Sequence, residues 1–365
     1  MSLFSDIIIL AGGIGERLYP ASTKEHPKQF IPAIGGKSFF QMALERALAL
    51  RPSGEILVIT RKNFVAIAGE QCKDFADTLH ESDRHFLENA LVILGEPCPK
   101  HTAAAIQCAG TYITAKYADA ESRLMLVLTS DHIIEPLNTF MENCRNASLE
   151  AQAGYFVCFG IRPTRADAGY GYIKTETEAN RSSGRDIVSF HEKPDEETAK
   201  RYLAEKNYWW NSGMFAFKTG TFIEEMRKYT PAVYEAFSPL CGSKPVYTKQ
   251  NGINSIAGWN GLEAAYGKTP SLAVDRALAE KTSRASCVIA DFSWQDVGSW
   301  DAFCECIPEA AEHVEKIESS GCYVYSDIPV AVCGVDEVMV IIRNGRALVM
   351  KKGKSNLIGK VLNRG

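Results

Sequence analysis

Four short stretches in the first part of the chain are apolar at consecutive positions rather than at alternate ones. They are residues 6–11 (DIIILA), 55–60 (EILVIT), 90–94 and 124–129 (LMLVLT). A strand that is apolar on both faces belongs in the middle of a parallel sheet covered by helices on either side. The stretches between them carry a helical period. Ser38 and Gln41 have capping-box spacing, and Leu44, Ala47 and Leu48 then fall on one face. Residues 102–116 and 139–151 read as two more helices. This alternation predicts an α/β fold with a doubly wound sheet, whose ligands bind in the loops after the carboxyl ends of the strands.

From residue 168 the pattern changes. Residues 170–176, 186–192 and 214–217 read as strands, with a polar turn at 180–184 and a short helix near 195–205. Helical material is expected over 219–279, and one more strand at 286–290. After Ser319 the chain becomes a run of short β pieces at 321–325, 330–333, 338–343 and 347–351. The expected division is a catalytic α/β domain over 1–318 and a small β module over 319–365. Exposed edges in that module make it the natural place for a homodimer contact.

Composition narrows the function. The 40 basic residues fall short of the 44 acidic ones, which argues against a nucleic-acid partner, because phosphate contacts call for a basic excess. No apolar run approaches the ~18–20 residues of a membrane span. The opening MSLFSDIIIL lacks the basic flank and cleavage site of a signal peptide. The 11 cysteines show no CxxC spacing, and reduced thiols in a cytoplasmic protein are the expectation.

The chemistry concentrates after the first strand, in Leu10-Ala-Gly-Gly-Ile-Gly-Glu-Arg-Leu-Tyr-Pro20 and then Pro27-Lys-Gln-Phe30. Gly12, Gly13 and Gly15 let backbone N–H groups approach a ligand closely, and Arg17 and Lys28 bring two cations to the same loop. That combination suits a polyphosphate. A Rossmann GxGxxG fails because Leu18 stands where its last glycine belongs, and a Walker A loop ending at Gly36-Lys37-Ser38 fails at Ile31.

LAGGxGxRLxP followed by PKQF resembles the signature of the sugar-1-phosphate nucleotidylyltransferases, in the form of the mannose-1-phosphate guanylyltransferase branch. Further matches follow in order: Gly95-Glu-Pro97, Leu128-Thr-Ser-Asp-His132, Gly169-Tyr-Gly-Tyr-Ile173, Phe190-His-Glu-Lys-Pro194, Trp210-Asn-Ser-Gly-Met-Phe215 and Phe292-Ser-Trp-Gln-Asp-Val-Gly-Ser-Trp300. The resemblance implies a Rossmann-like doubly wound mixed sheet of the nucleotide-diphospho-sugar transferase type, followed by a small left-handed β-helix. It also implies GTP and mannose 1-phosphate as substrates, and GDP-mannose and pyrophosphate as products.

Carried over residue by residue, it makes Arg17 and Lys28 catalytic. Leu10, Ala11, Gly12, Gly13, Gly15, Glu16, Thr102 and Ser130 would bind nucleotide. Gly171, Tyr172, Glu192, Lys193 and Asn211 would bind the sugar phosphate. Asp131 and Asp296 would hold Mg²⁺, which prefers hard oxygen ligands and retained waters. Lys100-His-Thr-Ala-Ala-Ala105 departs from the family's RNTAPA, with His101 and Ala104 in place of asparagine and proline. Two alternatives stay open: another sugar or nucleotide, and a non-catalytic nucleotide-sugar sensor. Some relatives carry a fused isomerase domain; a chain of this length is expected to perform the transfer alone.

Overall fold

The computed structural model describes residues 2–178, 181–309, 311 and 313–362; Asn180, where the expected 180–184 turn starts, lies outside them. By chain contacts the protein divides into two compact units. The first comprises residues 1–12, 43–130 and 134–294; the second comprises 13–42, 131–133 and 295–365. This partition differs from the expected 1–318 and 319–365. A boundary drawn along the chain cannot anticipate a unit assembled from separate segments.

The first unit is built on one mixed sheet of 11 strands. Its centre is made by the doubly apolar segments, now Leu91–Glu96, Ile56–Arg61, Asp6–Leu10 and Leu124–Thr129, side by side and parallel. Ile7, Ile8, Ile9, Leu57 and Val58 lose all exposure there, each burial contributing roughly 1.5–3 kcal/mol. Beyond Leu124–Thr129 the sheet turns antiparallel through Tyr208–Lys218, then continues with Phe156–Ile161, Ala285–Ile289, Arg185–His191 and Tyr172–Thr175. The helix His101–Lys116 is buried through most of its length.

Two expectations are corrected here. The strand expected at 214–217 begins at Tyr208, because Tyr208, Trp209 and Trp210 pair with Lys174, Ile173 and Tyr172. The helical run expected over 219–279 is broken by a hairpin, Val246–Gln250 with Ile253–Gly258. Its turn is Asn251-Gly252, at φ 53° and 83°. Both residues sit in the left-handed region that a tight hairpin demands and that Asn-Gly supplies.

In the second unit, the capping box forms as spaced: Ser38 N–H donates to Gln41 Oε1 at 3.0 Å, and Gln41 N–H donates to Ser38 Oγ at 3.1 Å. The C-terminal strands lie in two small sheets. Val314–Ile317 pairs parallel with Val330–Cys333, and Tyr323–Ser326 pairs parallel with Val338–Arg343, whose other side takes Arg346–Lys351 antiparallel. Leu18, Ile31 and Phe39 from the glycine-loop segment share one core with Trp300, Phe303, Tyr325, Ile341 and Ile358. The β pieces therefore pack with the glycine loop rather than forming a separate appendage.

Candidate active site

The residues singled out in the sequence fall into two groups, one in each unit. In the second unit, Gly15 opens the short helical turn Glu16–Leu18 at φ 65°. A Cβ on Gly15 would lie 2.4 Å from Lys28 Cβ, so glycine is required by backbone conformation and by the lysine passing beside it. The loop's carbonyls are all occupied. Gln29 Nε2 donates to Gly13 O at 3.0 Å, Lys28 N–H to Ile14 O at 3.0 Å, and Ser22 Oγ to Gly15 O at 2.7 Å. A loop whose acceptors are consumed internally is suited to present donors to an anion.

Lys28 is 5% exposed. Its Nζ lies 5.5 Å from the Phe39 ring centroid and donates to Asp131 Oδ2 at 3.1 Å and to the backbone carbonyl of Asp296. Burial disfavours charge on Asp131, but the Lys28 ammonium and the His132 ring prevail and hold its carboxyl below the usual carboxylate range. Asp296 Oδ1 accepts the Gly298 N–H at 2.7 Å, and the residue between them, Val297, is buried at φ 45°. A β-branched residue held there is backbone strain that the surrounding core must overcome. Among the described residues no group of three or more Asp, Glu, His or Cys is placed to hold a metal ion. Asp131 and Asp296 offer hard carboxylate oxygens, the donors Mg²⁺ takes together with water and phosphate oxygens.

Arg17 is exposed and lines a cleft of about 510 Å³ with Gly298, Ser299, Asp301, Ser355 and Asn356. The segment from Arg17 to Pro32 is fastened from the C-terminal side. Trp300 Nε1 donates to Tyr19 O at 2.9 Å, Asn344 Nδ2 to Pro20 O at 3.0 Å and Ala21 O at 3.2 Å, and Tyr325 Oη to Pro32 O at 2.9 Å.

The first unit holds the remaining candidates. Gly171 is flanked by two of them: a Cβ there would lie 2.8 Å from Glu192 Oε2 and 3.6 Å from Asn211 Cβ. Glu192 pairs with Lys193 at 2.8 Å, and Lys193 is 63% exposed. Tyr172 is fully buried, and its hydroxyl both donates to Asp167 O and accepts Asp167 N–H, each at 3.1 Å. Its side chain is enclosed by the protein, with the hydroxyl committed to the backbone.

Ser130 Oγ donates to Leu10 O at 2.7 Å, tying together the carboxyl ends of two neighbouring strands. The family resemblance gives Thr102 to the nucleotide, yet its Oγ1 accepts Val274 N–H at 2.8 Å, and Ala103 N–H donates to Leu272 O. The start of that helix is thus engaged by the chain itself.

Two acids escaped the sequence reading of the site. Glu96 is buried beneath Gly12, whose Cβ would lie 2.8 Å from Glu96 Oε2, and its Oε1 accepts the Tyr266 hydroxyl at 3.0 Å. Burial pushes its carboxyl up to about 7, against the Tyr266 hydrogen bond and the Arg61 charge. The Gly95-Glu-Pro97 match was the available signal. Asp275, accepting from Asn211, is pushed up to about 6 by burial and then by the charge of Glu192; it lies in no recognised motif.

Comparison with known proteins shows the family. The nucleotidyl transferase family model matches residues 6–313. A mannose-1-phosphate guanylyltransferase of Sinorhizobium fredii is 34% identical over 98% of this chain and 67% of its own length. One from Salmonella muenchen is 31% identical over 97% of this chain and 72% of its own length. Among solved structures, a Thermus thermophilus protein named mannose-1-phosphate geranyltransferase superposes with a TM-score of 0.78 at 29% identity, covering 99% of each chain.

Proposed function

The chain belongs to the nucleotidyl transferase family, and on that premise we propose that it joins GTP and α-D-mannose 1-phosphate to give GDP-mannose and pyrophosphate. The relatives at 31–34% identity carry that activity in their names. The observation that carries the reading is the buried Lys28, held between Asp131 and Asp296 at the end of a glycine loop with no free carbonyl. A sugar-phosphate oxygen is anionic at neutral pH, so it attacks the α-phosphorus without a general base. It displaces pyrophosphate in line, and catalysis is positioning and charge neutralisation.

Lys28 stabilises charge at the α-phosphate, and Arg17, exposed at the cleft, holds the departing pyrophosphate. Gly13 and Gly15 bring N–H donors to the phosphates. Glu192 and Asn211 orient the sugar, with Lys193 meeting its phosphate. Asp131 and Asp296 would hold Mg²⁺, which when bound neutralises charge on the bridging phosphate oxygens.

Eleven free cysteines favour a reducing, cytoplasmic setting. The C-terminal strands read as coils of a short left-handed β-helix: Val314 opposite Val330 and Tyr323 opposite Met339 advance by the same step along the chain.

The test is product analysis with GTP and UTP, each against mannose and glucose 1-phosphates. GDP-mannose should form fastest; preferential formation of a UDP-sugar, or no pyrophosphate release from any pair, would overturn the reading. For the metal, Asp131→Ala and Asp296→Ala should each abolish Mg²⁺-dependent turnover, and near-wild-type rates in both would sink that assignment.

A further inference from the structure

Asp275 is a half-buried acid to which the transfer step gives no task. It opens the π-turn Asp275–Ala279, an element frequent at functional sites. Its Oδ1 accepts Asn211 Nδ2–H at 2.7 Å. The other end of the same amide accepts Gly213 N–H at 3.2 Å, and the backbone N–H of Asn211 donates to Gly171 O at 2.8 Å. With an acceptor at one end and a donor at the other, the amide has one consistent orientation. One N–H of Nδ2 remains beyond these bonds.

Just before Asp275 in the chain, Val274 N–H donates to Thr102 Oγ1, and Leu272 exchanges backbone hydrogen bonds with Lys100 and Ala103 at 3.3 and 3.1 Å. Residues 272–275 therefore form a strut from the start of the helix His101–Lys116 to the side chain of Asn211. Burial and the nearby charge of Glu192 both oppose ionisation of Asp275. An apolar side chain would fill the space without that cost, so the carboxyl is explained by what it holds.

We propose that Asp275 is a positioning residue for the sugar phosphate: it fixes the Asn211 amide so that the remaining N–H meets sugar hydroxyls beside Glu192, and Thr102 braces it from behind. This rests on the sugar-site reading given above. It moves Thr102 from nucleotide contact to support of the sugar site.

The experiment is steady-state kinetics with both substrates varied, on wild type, Asn211→Ala, Asp275→Ala, Asp275→Asn, Thr102→Val and the Asn211→Ala/Asp275→Ala double variant. Asn211→Ala and Asp275→Ala should each raise the KM for mannose 1-phosphate about tenfold and leave that for GTP within about twofold. The double variant should be no worse than the worse single one, because the two act as a unit. Asp275→Asn keeps an acceptor for Asn211 and should recover most of the loss; its folding also keeps the test alive if Asp275→Ala does not fold. Thr102→Val should move the mannose 1-phosphate KM in the same direction by a smaller factor.

No effect of Asn211→Ala on that KM would overturn the sugar-site reading itself. An effect of Asn211→Ala with none of Asp275→Ala would overturn the proposal alone. Equal rises in both KM values for Asp275→Ala or Asp275→Asn would reduce Asp275 to a structural role. A rise confined to GTP in Thr102→Val would overturn the strut.

Discussion

The two groups of site residues treat charge in opposite ways. In the segment around the glycine loop, a cation is buried and its neighbours are arranged about it: Lys28 is almost inaccessible, and Asp131 is held ionised by Lys28 and His132. In the larger unit it is acids that are withdrawn from water, Glu96 buried and Asp275 half-buried. They accept from Tyr266 and Asn211, and burial drives both carboxyls up. A fixed buried cation is what a transferring phosphoryl group requires. Acids beside amides are what neutral hydroxyls and N–H donors require. The first arrangement should govern turnover and the second should govern affinity.

The largest break in this contrast should come from Lys28→Met, which removes the cation while keeping an unbranched side chain. We expect kcat to fall about 10³-fold with the KM for mannose 1-phosphate nearly unchanged. A raised KM with intact kcat would erase the distinction between the two regions.

Next comes pH. The Glu96 carboxyl is raised from 4.5 to about 7 in the fold. Its contribution to stability is therefore present in full below pH 4.5 and lost as pH rises toward 7, an effect of about 3 kcal/mol. Urea unfolding at a series of pH values should show Glu96→Gln lacking that loss. Asp131 has the opposite sign, since its lowered carboxyl stabilises the fold above its unfolded value of 3.8 and ceases to do so as pH falls. Identical pH profiles for wild type and Glu96→Gln would show that the buried acid is no burden.

Smaller effects sharpen the boundary. Asn344→Ala strips the donors from Pro20 O and Ala21 O and should lower stability by about 1–2 kcal/mol. It should also lower kcat about fivefold through the loop, leaving the sugar KM alone. Lys193→Ala should be weakest, raising the mannose 1-phosphate KM by less than about threefold, because the side chain is 63% exposed and its charge is screened.

Features that depend on neighbours along the chain were legible. Doubly apolar runs such as LMLVLT declared central strands, and Ser38 and Gln41 declared a helix start. The Asn251-Gly252 hairpin was equally local, but its flanks lack a clean alternation and were absorbed into a helical run. What could not be read depends on partners distant in sequence. Thr102 has the look of a residue at an open helix start, and only Val274, far along the chain, shows that its hydroxyl is taken. Asp275 sits in an unremarkable Val-Asp-Arg-Ala stretch, and its meaning comes from Asn211. The compact units likewise follow from which segments pack together, which no local pattern encodes.

The core shared by Leu18, Ile31 and Phe39 with Trp300, Tyr325, Ile341 and Ile358 has a consequence in time. The glycine loop leaves the ribosome well before Trp300, Tyr325, Ile341 and Ile358, the side chains that complete its core. Its segment must wait, unpacked, while everything between them is synthesised. Such high contact order slows folding and lengthens the exposure of apolar surface. It also ties the packing of the Lys28 segment to the arrival of residues beyond 300.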